Sequence, residues 1–115
     1  MAESGRLRIT TDARELRSCD KVLCTSTVLL NDTLHAVLAA CPAAQAFVMI
    51  GPGAACLPDP LFARGVTLLG GAWIESPEEF KRALAAGRPW SRYARKFALS
   101  RSSYPGLDSL RLRTV

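Results

Sequence analysis

The sequence lacks the features that mark membrane and secreted proteins. No apolar run approaches the roughly 18 residues that a transmembrane helix requires, and residues 1–6 lack the basic and then apolar profile of a secretory signal. The 115 residues are enough for one domain with a modest core. We therefore expect a cytoplasmic protein that makes no contact with a membrane.

Residues that commonly carry out catalysis are also scarce. The single histidine, His35, falls inside a predicted helix, where a surface or packed side chain is a simpler interpretation than a catalytic base. Neither the Gly-x-Gly-x-x-Gly dinucleotide fingerprint nor a Walker lysine pattern occurs. No nucleophile stands beside an identifiable base. The sequence thus favours a binding protein over an enzyme, without deciding between them.

The cysteines form no Cys-x-x-Cys pair, which argues against a zinc ribbon. A disulfide framework is typical of small secreted chains, and burial as small apolar residues is the simpler interpretation here. A soft transition-metal site remains open, because thiolates favour such ions. Its candidate ligands are Cys24 and Cys56.

The net charge of +5 is distributed unevenly along the chain. Residues 1–87 contain eight basic and nine acidic residues, whereas residues 88–115 contain seven basic residues and only Asp108. A basic carboxyl-terminal part of this kind indicates a solvated face or a contact with an acidic partner, and less often a nucleic-acid site. We expect residues 100–115 to form a basic tail, either a last strand or a flexible end.

Three apolar runs predict the buried strands of a parallel sheet, namely residues 21–27, 46–50 and 66–69. Between the first two runs, an apolar stripe at helical spacing predicts a helix that Asn31 or Asp32 caps and Pro42 ends. Strand, helix and strand within about 30 residues make a βαβ unit. The stripe consists of Leu34, Val37, Leu38 and Cys41.

Helix signals recur further along the chain. Asp59 is placed to cap a short helix, and Ser76 with Glu79 matches a capping box at the start of another. Gly65 and Gly87 are placed to end these two helices. In the basic part, three aromatic residues at helical spacing predict a short amphipathic helix; they are Trp90, Tyr93 and Phe97.

Nearer the amino terminus, residues 6–10 alternate as a half-buried edge strand does, and residues 13–19 suit one or two helical turns. Successive strand–helix units indicate a three-layer α/β domain of Rossmann-like type over residues 1–99. We expect a partial version of its parallel sheet, with four strands or so.

Ligands of open α/β sheets bind beyond the carboxyl ends of the strands. Two predicted loops lie there. The first offers hydroxyl and amide groups before a helix, from Thr25, Ser26, Asn31 and Thr33. The second offers backbone groups that glycine leaves accessible, from Gly51, Pro52 and Gly53. A role in capping the helix and turning the chain explains the residue types of the first loop equally well.

Two blocks of the sequence resemble one known family. Residues 19–34 match its pattern of an aspartate, an apolar strand, a threonine and then Leu-x-Asn-x-Thr. Residues 47–53, followed by Leu57-Pro58, Leu61-Phe62, Gly65-Val66 and Leu69-Gly70-Gly71, are similar to its second block. The family is the putative heavy-metal chelation domain, a Rossmann-like domain that often follows a small enolase-amino-terminal-like domain.

The resemblance implies metal handling, with a link to cobalamin biosynthesis. It covers roughly residues 16–99, and it implies a truncated, diverged member whose sheet lacks a first strand and helix. A homodimer or another partner would then cover an exposed sheet edge. One departure lies in the binding loop, where the family usually continues Gly-Pro with Ser-Thr and this chain continues with Gly53-Ala54.

Three functions remain as hypotheses. The first is a domain that binds a metal ion, a metal complex or a small anionic metabolite through the two loops. The second is an interaction module whose basic segment docks on a protein or, less favoured, a nucleic acid. The third is an enzyme of transferase or chelatase-like type, which would need Cys24, Asp32 or His35 as an acid, base or nucleophile.

Overall fold

A computed structural model of the chain describes residues 2–111, and side chains from residue 5 to residue 109. The amino-terminal strands β1 (Ala2–Ser4) and β2 (Leu7–Ile9) form a separate antiparallel pair. Gly5 turns the chain between them with a φ of 59°. The predicted strand is therefore confirmed, but Leu7 and Ile9 are both exposed rather than half-buried.

The main sheet has four strands in the order β3-β4-β5-β6, and it confirms the predicted α/β fold class. Its strands are β3 (Lys21–Thr25), β4 (Ala46–Ile50), β5 (Leu68–Ile74) and β6 (Ala94–Ser100). The first three run parallel, with Cys24 beside Met49 and Met49 beside Leu69. The fourth strand runs antiparallel to β5, so the sheet is mostly but not wholly parallel.

Five helices connect or follow these strands. They are α1 (Thr27–Leu30), α2 (Leu34–Ala40), α3 (Asp59–Ala63), α4 (Pro77–Ala85) and α5 (Leu107–Arg111). Two turns of 3₁₀ helix follow β2 and β4, at Ala13–Ser18 and Pro52–Ala54, and a third precedes β6 at Ser91–Tyr93. No helix within the part of the chain that the structure describes is long and apolar enough to cross a membrane.

The core lies on one face of the sheet. Phe47, Met49 and Leu69 project from that face and are almost completely buried, together with Val66 at the start of the third unit. Leu34, Leu61 and Phe62 of the helices pack against them, so the apolar stripe predicted for α2 is confirmed. Because side chains alternate along a strand, the intervening residues project to the opposite face.

The opposite face is only partly covered. Leu23 of β3 is 68% exposed and Ile50 of β4 is 40% exposed, although parallel strands are usually buried on both faces. The burial on both faces that the apolar runs predict is therefore not reached at the β3 side of the sheet.

The structure corrects the prediction for the basic segment. The residues from Trp90 to Phe97 form one 3₁₀ turn and then strand β6, not an amphipathic helix. The spacing of the aromatic residues suits a helix, but the backbone of Ala94 to Ser100 instead pairs with β5 over its whole length. Residues 107–111 are helical rather than a last strand, and residues 112–115 lie outside the described part.

Ser76 is the N-cap residue of α4, as predicted, but the capping-box bonds are absent, and two other predicted caps are replaced. Ser76 makes no side-chain cap bond, and Glu79 binds Arg82 at 3.0 Å instead of completing a capping box. The residue before α2 is Thr33 rather than Asn31 or Asp32, and Pro58 rather than Asp59 precedes α3. Gly65 and Gly87 follow their helices with φ values of 114° and 66°, as predicted.

Asp59 fastens the carboxyl-terminal segment to the body. Its carboxylate accepts a hydrogen bond of 2.7 Å from the Tyr104 hydroxyl and one of 3.0 Å from the Leu107 amide, the first of α5. The Tyr104 ring also packs on Phe62, with 5.7 Å between ring centroids. The hydrogen bonds from Leu107 and Tyr104 lower the pKa of Asp59, and the bond to Asp59 raises the pKa of Tyr104.

We expect Asp59→Ala to release this segment, because both hydrogen bonds vanish together. Trypsin should then cleave after Arg101 roughly several-fold faster, since cleavage follows local opening. Tyr104→Phe, which keeps the ring on Phe62, should give an intermediate rate. In the wild type the segment should loosen only in acid. The ionised Asp59 carboxylate stabilises it fully above about pH 3.9. This stabilisation is lost as the pH falls through the lowered pKa of Asp59. Equal cleavage rates in all three proteins would contradict this tether.

Candidate functional site

The two predicted loops meet at the carboxyl ends of the parallel strands. The Ser26 amide, which follows β3, donates a 2.7 Å hydrogen bond to the Ile50 carbonyl, and the Gly51 amide donates one of 2.9 Å to Gly70. These bonds tie the loop after β3 to the loop after β4, and the second loop to β5. The topology thus brings the loops together as the parallel sheet predicts.

Ser26 is the residue on which the two loops pack. An alanine Cβ at Gly51 would overlap Ser26 Oγ and lie 3.1 Å from Ser26 Cβ, and a Cβ at Gly53 would lie 3.2 Å from the same Oγ. Gly51 also has a φ of 139°, which side chains rarely adopt. The Gly-Pro-Gly loop therefore needs glycine both for its backbone conformation and for its contact with Ser26.

The Ser26 hydroxyl has no protein partner among the residues that the structure describes. The residue is only 6% exposed, yet no hydrogen bond forms at its Oγ, and the oxygen is not wholly sealed from solvent. Buried hydroxyls are usually hydrogen-bonded. This oxygen therefore has an unused capacity to bind a ligand or a water molecule.

The other residues of the first loop are divided between two places. Thr25 ends β3 and is exposed beside the Gly51 loop. Asn31 and Thr33 follow α1, and the Thr33 hydroxyl donates to the Asn31 side chain. This bond engages the two groups with each other, whereas Ser26 contacts the glycine loop directly. The role of Asn31 and Thr33 in binding stays a prediction.

A cleft that is lined in part by a lysine opens beside the glycine loop. Its volume is about 370 Å³, and its lining includes Gly51, Pro52, Ala72, Trp90 and Lys96. Lys96 and Ala72 are paired across β6 and β5, so both project from the partly covered face. The sequence does not indicate Lys96, because the aromatic spacing of this segment predicts a helix. The register of β6 is what places Lys96 beside the cleft.

A larger cleft lies on the core face of the sheet, at its β5–β6 side. It measures about 870 Å³ and is mostly apolar, with Cys56 and Leu57 on the loop and Trp73, Phe97 and Leu99 on the strands. Arg95 Nε binds Glu75 at 2.9 Å at its border. Phe97 covers Gly71, where a Cβ would lie 2.9 Å from the ring.

The candidate metal ligands are not brought together. Cys24 lies on β3, whereas Cys56 lies in the larger cleft beyond the glycine loop. Burial raises the pKa of both thiols, which disfavours the thiolates that bind metal. Among the described residues, no three Cys, His, Asp or Glu side chains are grouped so that they could hold an ion.

The residues invoked for catalysis are also dispersed. His35 is exposed on α2, and it borders a small depression with Asp32 and Arg64 rather than either loop. Arg92 lies over the Tyr93 ring at 5.6 Å, and Arg95 is engaged with Glu75. These basic side chains belong to β6 and the turn before it, upstream of the predicted tail of residues 100–115.

Comparison with solved structures supports the fold. Two crystal structures of proteins of unknown function match this chain, one from Pyrococcus horikoshii and one from Desulfitobacterium hafniense. Each has a TM-score of 0.69 and 23% sequence identity, over 76% and 77% of this chain respectively. This chain spans only 38% and 37% of their lengths. No curated protein sequence matches significantly.

The sequence itself matches a family model over residues 3–102. The model is that of DUF364, whose description is "Putative heavy-metal chelation", and both crystal structures come from the same family. The match covers most of the chain, including both loops and all four strands of the main sheet. The chain therefore belongs to the DUF364 family.

Proposed function

We propose that this chain is a ligand-binding domain whose ligand carries negative charge: a small anionic metabolite, or a metal ion held within an anionic chelator. The ligand lies at the carboxyl ends of β3 and β4, against Ser26 and the Gly51–Gly53 loop. The proposal keeps the family's association with metals. The protein recognises the chelator, and its side chains do not coordinate the ion.

The unpartnered hydroxyl of Ser26, on a residue that is only 6% exposed, is the observation that carries the proposal. A serine at 6% exposure gains nothing from an unused hydrogen-bonding capacity, so a ligand oxygen is a suitable partner. The glycines beside it leave backbone groups open to close approach. Together they make a small polar pocket wall at the position where open α/β sheets bind ligands.

Lys96 supports a negative rather than a neutral ligand. This lysine lines the cleft that Gly51, Pro52 and Trp90 also line. The separated cysteines with raised thiol pKa values argue against direct binding of a bare ion at Cys24 or Cys56. A chelated metal needs no cysteine ligand, because the carboxylates of the chelator hold the ion and present negative charge to Lys96.

Citrate, the cobalt–citrate complex and free Co²⁺ are the probes that test this function. We expect native mass spectrometry and calorimetry to show binding of citrate with and without cobalt. Lys96→Ala should weaken that binding by about tenfold, the equivalent of about 1.4 kcal/mol for one lost charged contact. Ser26→Ala should weaken it by a smaller factor, because a neutral hydrogen bond contributes less.

Lys81→Ala is the matched control, since Lys81 is an exposed lysine that pairs with Glu78 on α4. Its affinity for citrate should equal that of the wild type. Binding of free Co²⁺ alone, unchanged by Lys96→Ala and lost with the cysteines, would contradict the proposal. So would citrate binding that all three variants leave intact.

A further inference from the structure

Strand β6 is an edge strand whose outer hydrogen-bonding groups face away from the sheet. In the part of the chain that the structure describes, β6 pairs only with β5. The Glu75 amide donates to Tyr93 and the Arg101 amide donates to Thr67, which fixes the hydrogen-bonded pairs of the ladder. By alternation, the N–H and C=O groups of Lys96 and Ala98 point outward.

The larger cleft lies directly beside this edge. Phe97 and Leu99 of β6 project into it, and Trp73 of the neighbouring strand is 67% exposed there. A strand added along β6 would project every second side chain over this apolar cleft. The remaining side chains would lie on the opposite face, beside Lys96.

The charge of this region selects among partners. Strand β6 contains two basic residues, Arg95 and Lys96, and no acidic residue, and both basic residues are exposed. Lysines on an edge strand repel further basic strands. The same charges attract an acidic one, because complementary potentials increase both the rate and the specificity of association.

We propose that β6 is a docking edge for an extended acidic segment of a partner protein, in which apolar and acidic residues alternate. The segment adds a fifth strand to the main sheet. Its apolar side chains enter the cleft formed by Leu57, Trp73 and Phe97, and its carboxylates face Lys96. This goes beyond the proposed ligand site, with which it shares Lys96, since it uses the outer edge of β6 and the core-side cleft rather than Ser26 and the glycine loop.

A Glu-Leu alternating peptide as long as β6 is the direct probe, and a Lys-Leu peptide of equal length is its control. By fluorescence anisotropy, we expect the acidic peptide to bind at least about tenfold more tightly than the basic one. Binding should also slow amide exchange at Lys96 and Ala98, as measured by NMR, because their N–H groups become hydrogen-bonded.

Ala98→Pro separates strand addition from simple charge attraction. The Ala98 amide faces outward, so proline there removes an edge donor without breaking the ladder to β5. We expect about tenfold weaker peptide binding, whereas citrate binding at Ser26 and Lys96 is retained. Ala98→Ser, which keeps the amide, is the matched variant and should bind as the wild type does.

A peptide methylated on the backbone nitrogens that would face β6 provides the same test without altering the protein. It should bind at least about tenfold more weakly than its unmethylated counterpart. Equal affinity of the two peptides, or equal affinity of the acidic and basic peptides, would overturn the proposal. Tight binding without protection of Lys96 and Ala98 would overturn it as well.

Discussion

Replacing Gly51 by alanine is expected to destabilise the protein by roughly 2–4 kcal/mol. The backbone at Gly51 has a φ of 139° and a ψ of 171°, a region that is almost exclusive to glycine and costs about 1–3 kcal/mol for other residues. A Cβ would in addition overlap the Ser26 hydroxyl. Because Ser26 is buried and hydrogen-bonded through its amide to Ile50, it has little room to move.

Gly65→Ala is the matched control for this experiment. Gly65 also has a positive φ, 114°, but a Cβ there meets nothing within 4 Å. Its free energy of unfolding should therefore fall by the backbone strain alone, about 1–3 kcal/mol. Chemical denaturation of both variants measures the difference that the Ser26 contact makes.

A double variant identifies the source of the remaining loss. Ser26→Gly removes both atoms that the new Cβ would approach, so combining it with Gly51→Ala should restore about 1 kcal/mol relative to additive effects. Strictly additive losses, or equal losses for Gly51→Ala and Gly65→Ala, would contradict the steric role assigned to Ser26. The binding of citrate by folded Gly51→Ala should also weaken, since the loop borders the ligand site.

Met49→Ala is expected to be among the most destabilising single side-chain truncations, together with truncation of Phe47, its buried neighbour in the same strand. Met49 is 0% exposed and lies between β3 and β5 at the centre of the sheet, beside Cys24 and Leu69. Removal of such a side chain leaves a cavity, and the loss is about 2–5 kcal/mol. For a domain of this size that is a large part of the total free energy of unfolding.

Leu30→Ala is the control for Met49→Ala. Leu30 is 85% exposed at the end of α1, so its truncation should change the free energy of unfolding by less than about 0.5 kcal/mol. Denaturant unfolding followed by circular dichroism measures both variants. A loss for Met49→Ala that is no greater than that for Leu30→Ala would mean that the core does not lie on this face of the sheet.

Strong local signals predicted the first three units of the fold. The runs that became β3, β4 and β5 are apolar, and the stripe from Leu34 to Cys41 has the period of a helix. Gly65 and Gly87 end their helices because a positive φ is easy only for glycine. These features depend on neighbouring residues alone, so they can be interpreted without knowing the tertiary structure.

The basic segment shows where local patterns are insufficient. The aromatic residues from Trp90 to Phe97 have a spacing that suits a helix, yet β5 imposes a strand on Ala94 to Ser100. Phe97 covers Gly71, a contact between residues 26 positions apart in the chain. Strand formation depends on pairing partners that are distant in sequence. The period of a short amphipathic segment therefore does not decide whether that segment forms a strand or a helix.

The candidate site was predicted only in part, because it also depends on contacts between distant segments. Parallel strands end at one edge of a sheet, so the sequence correctly brought the loops of Ser26 and Gly51 together. It did not reveal the mutual hydrogen bond of Asn31 and Thr33. Nor did it place Lys96, since the register of β6 puts this residue beside the cleft.

The sequence by itself determined the α/β class, the succession of strand–helix units along the chain and the edge of the sheet at which the loops meet. Hydrophobic period, proline and glycine carry that information locally. Only the tertiary structure decided that β6 runs antiparallel, that the Ser26 hydroxyl has no protein partner among the described residues and that the two clefts flank the β5–β6 pair. Each of these depends on contacts between distant segments, which no local pattern of residues specifies.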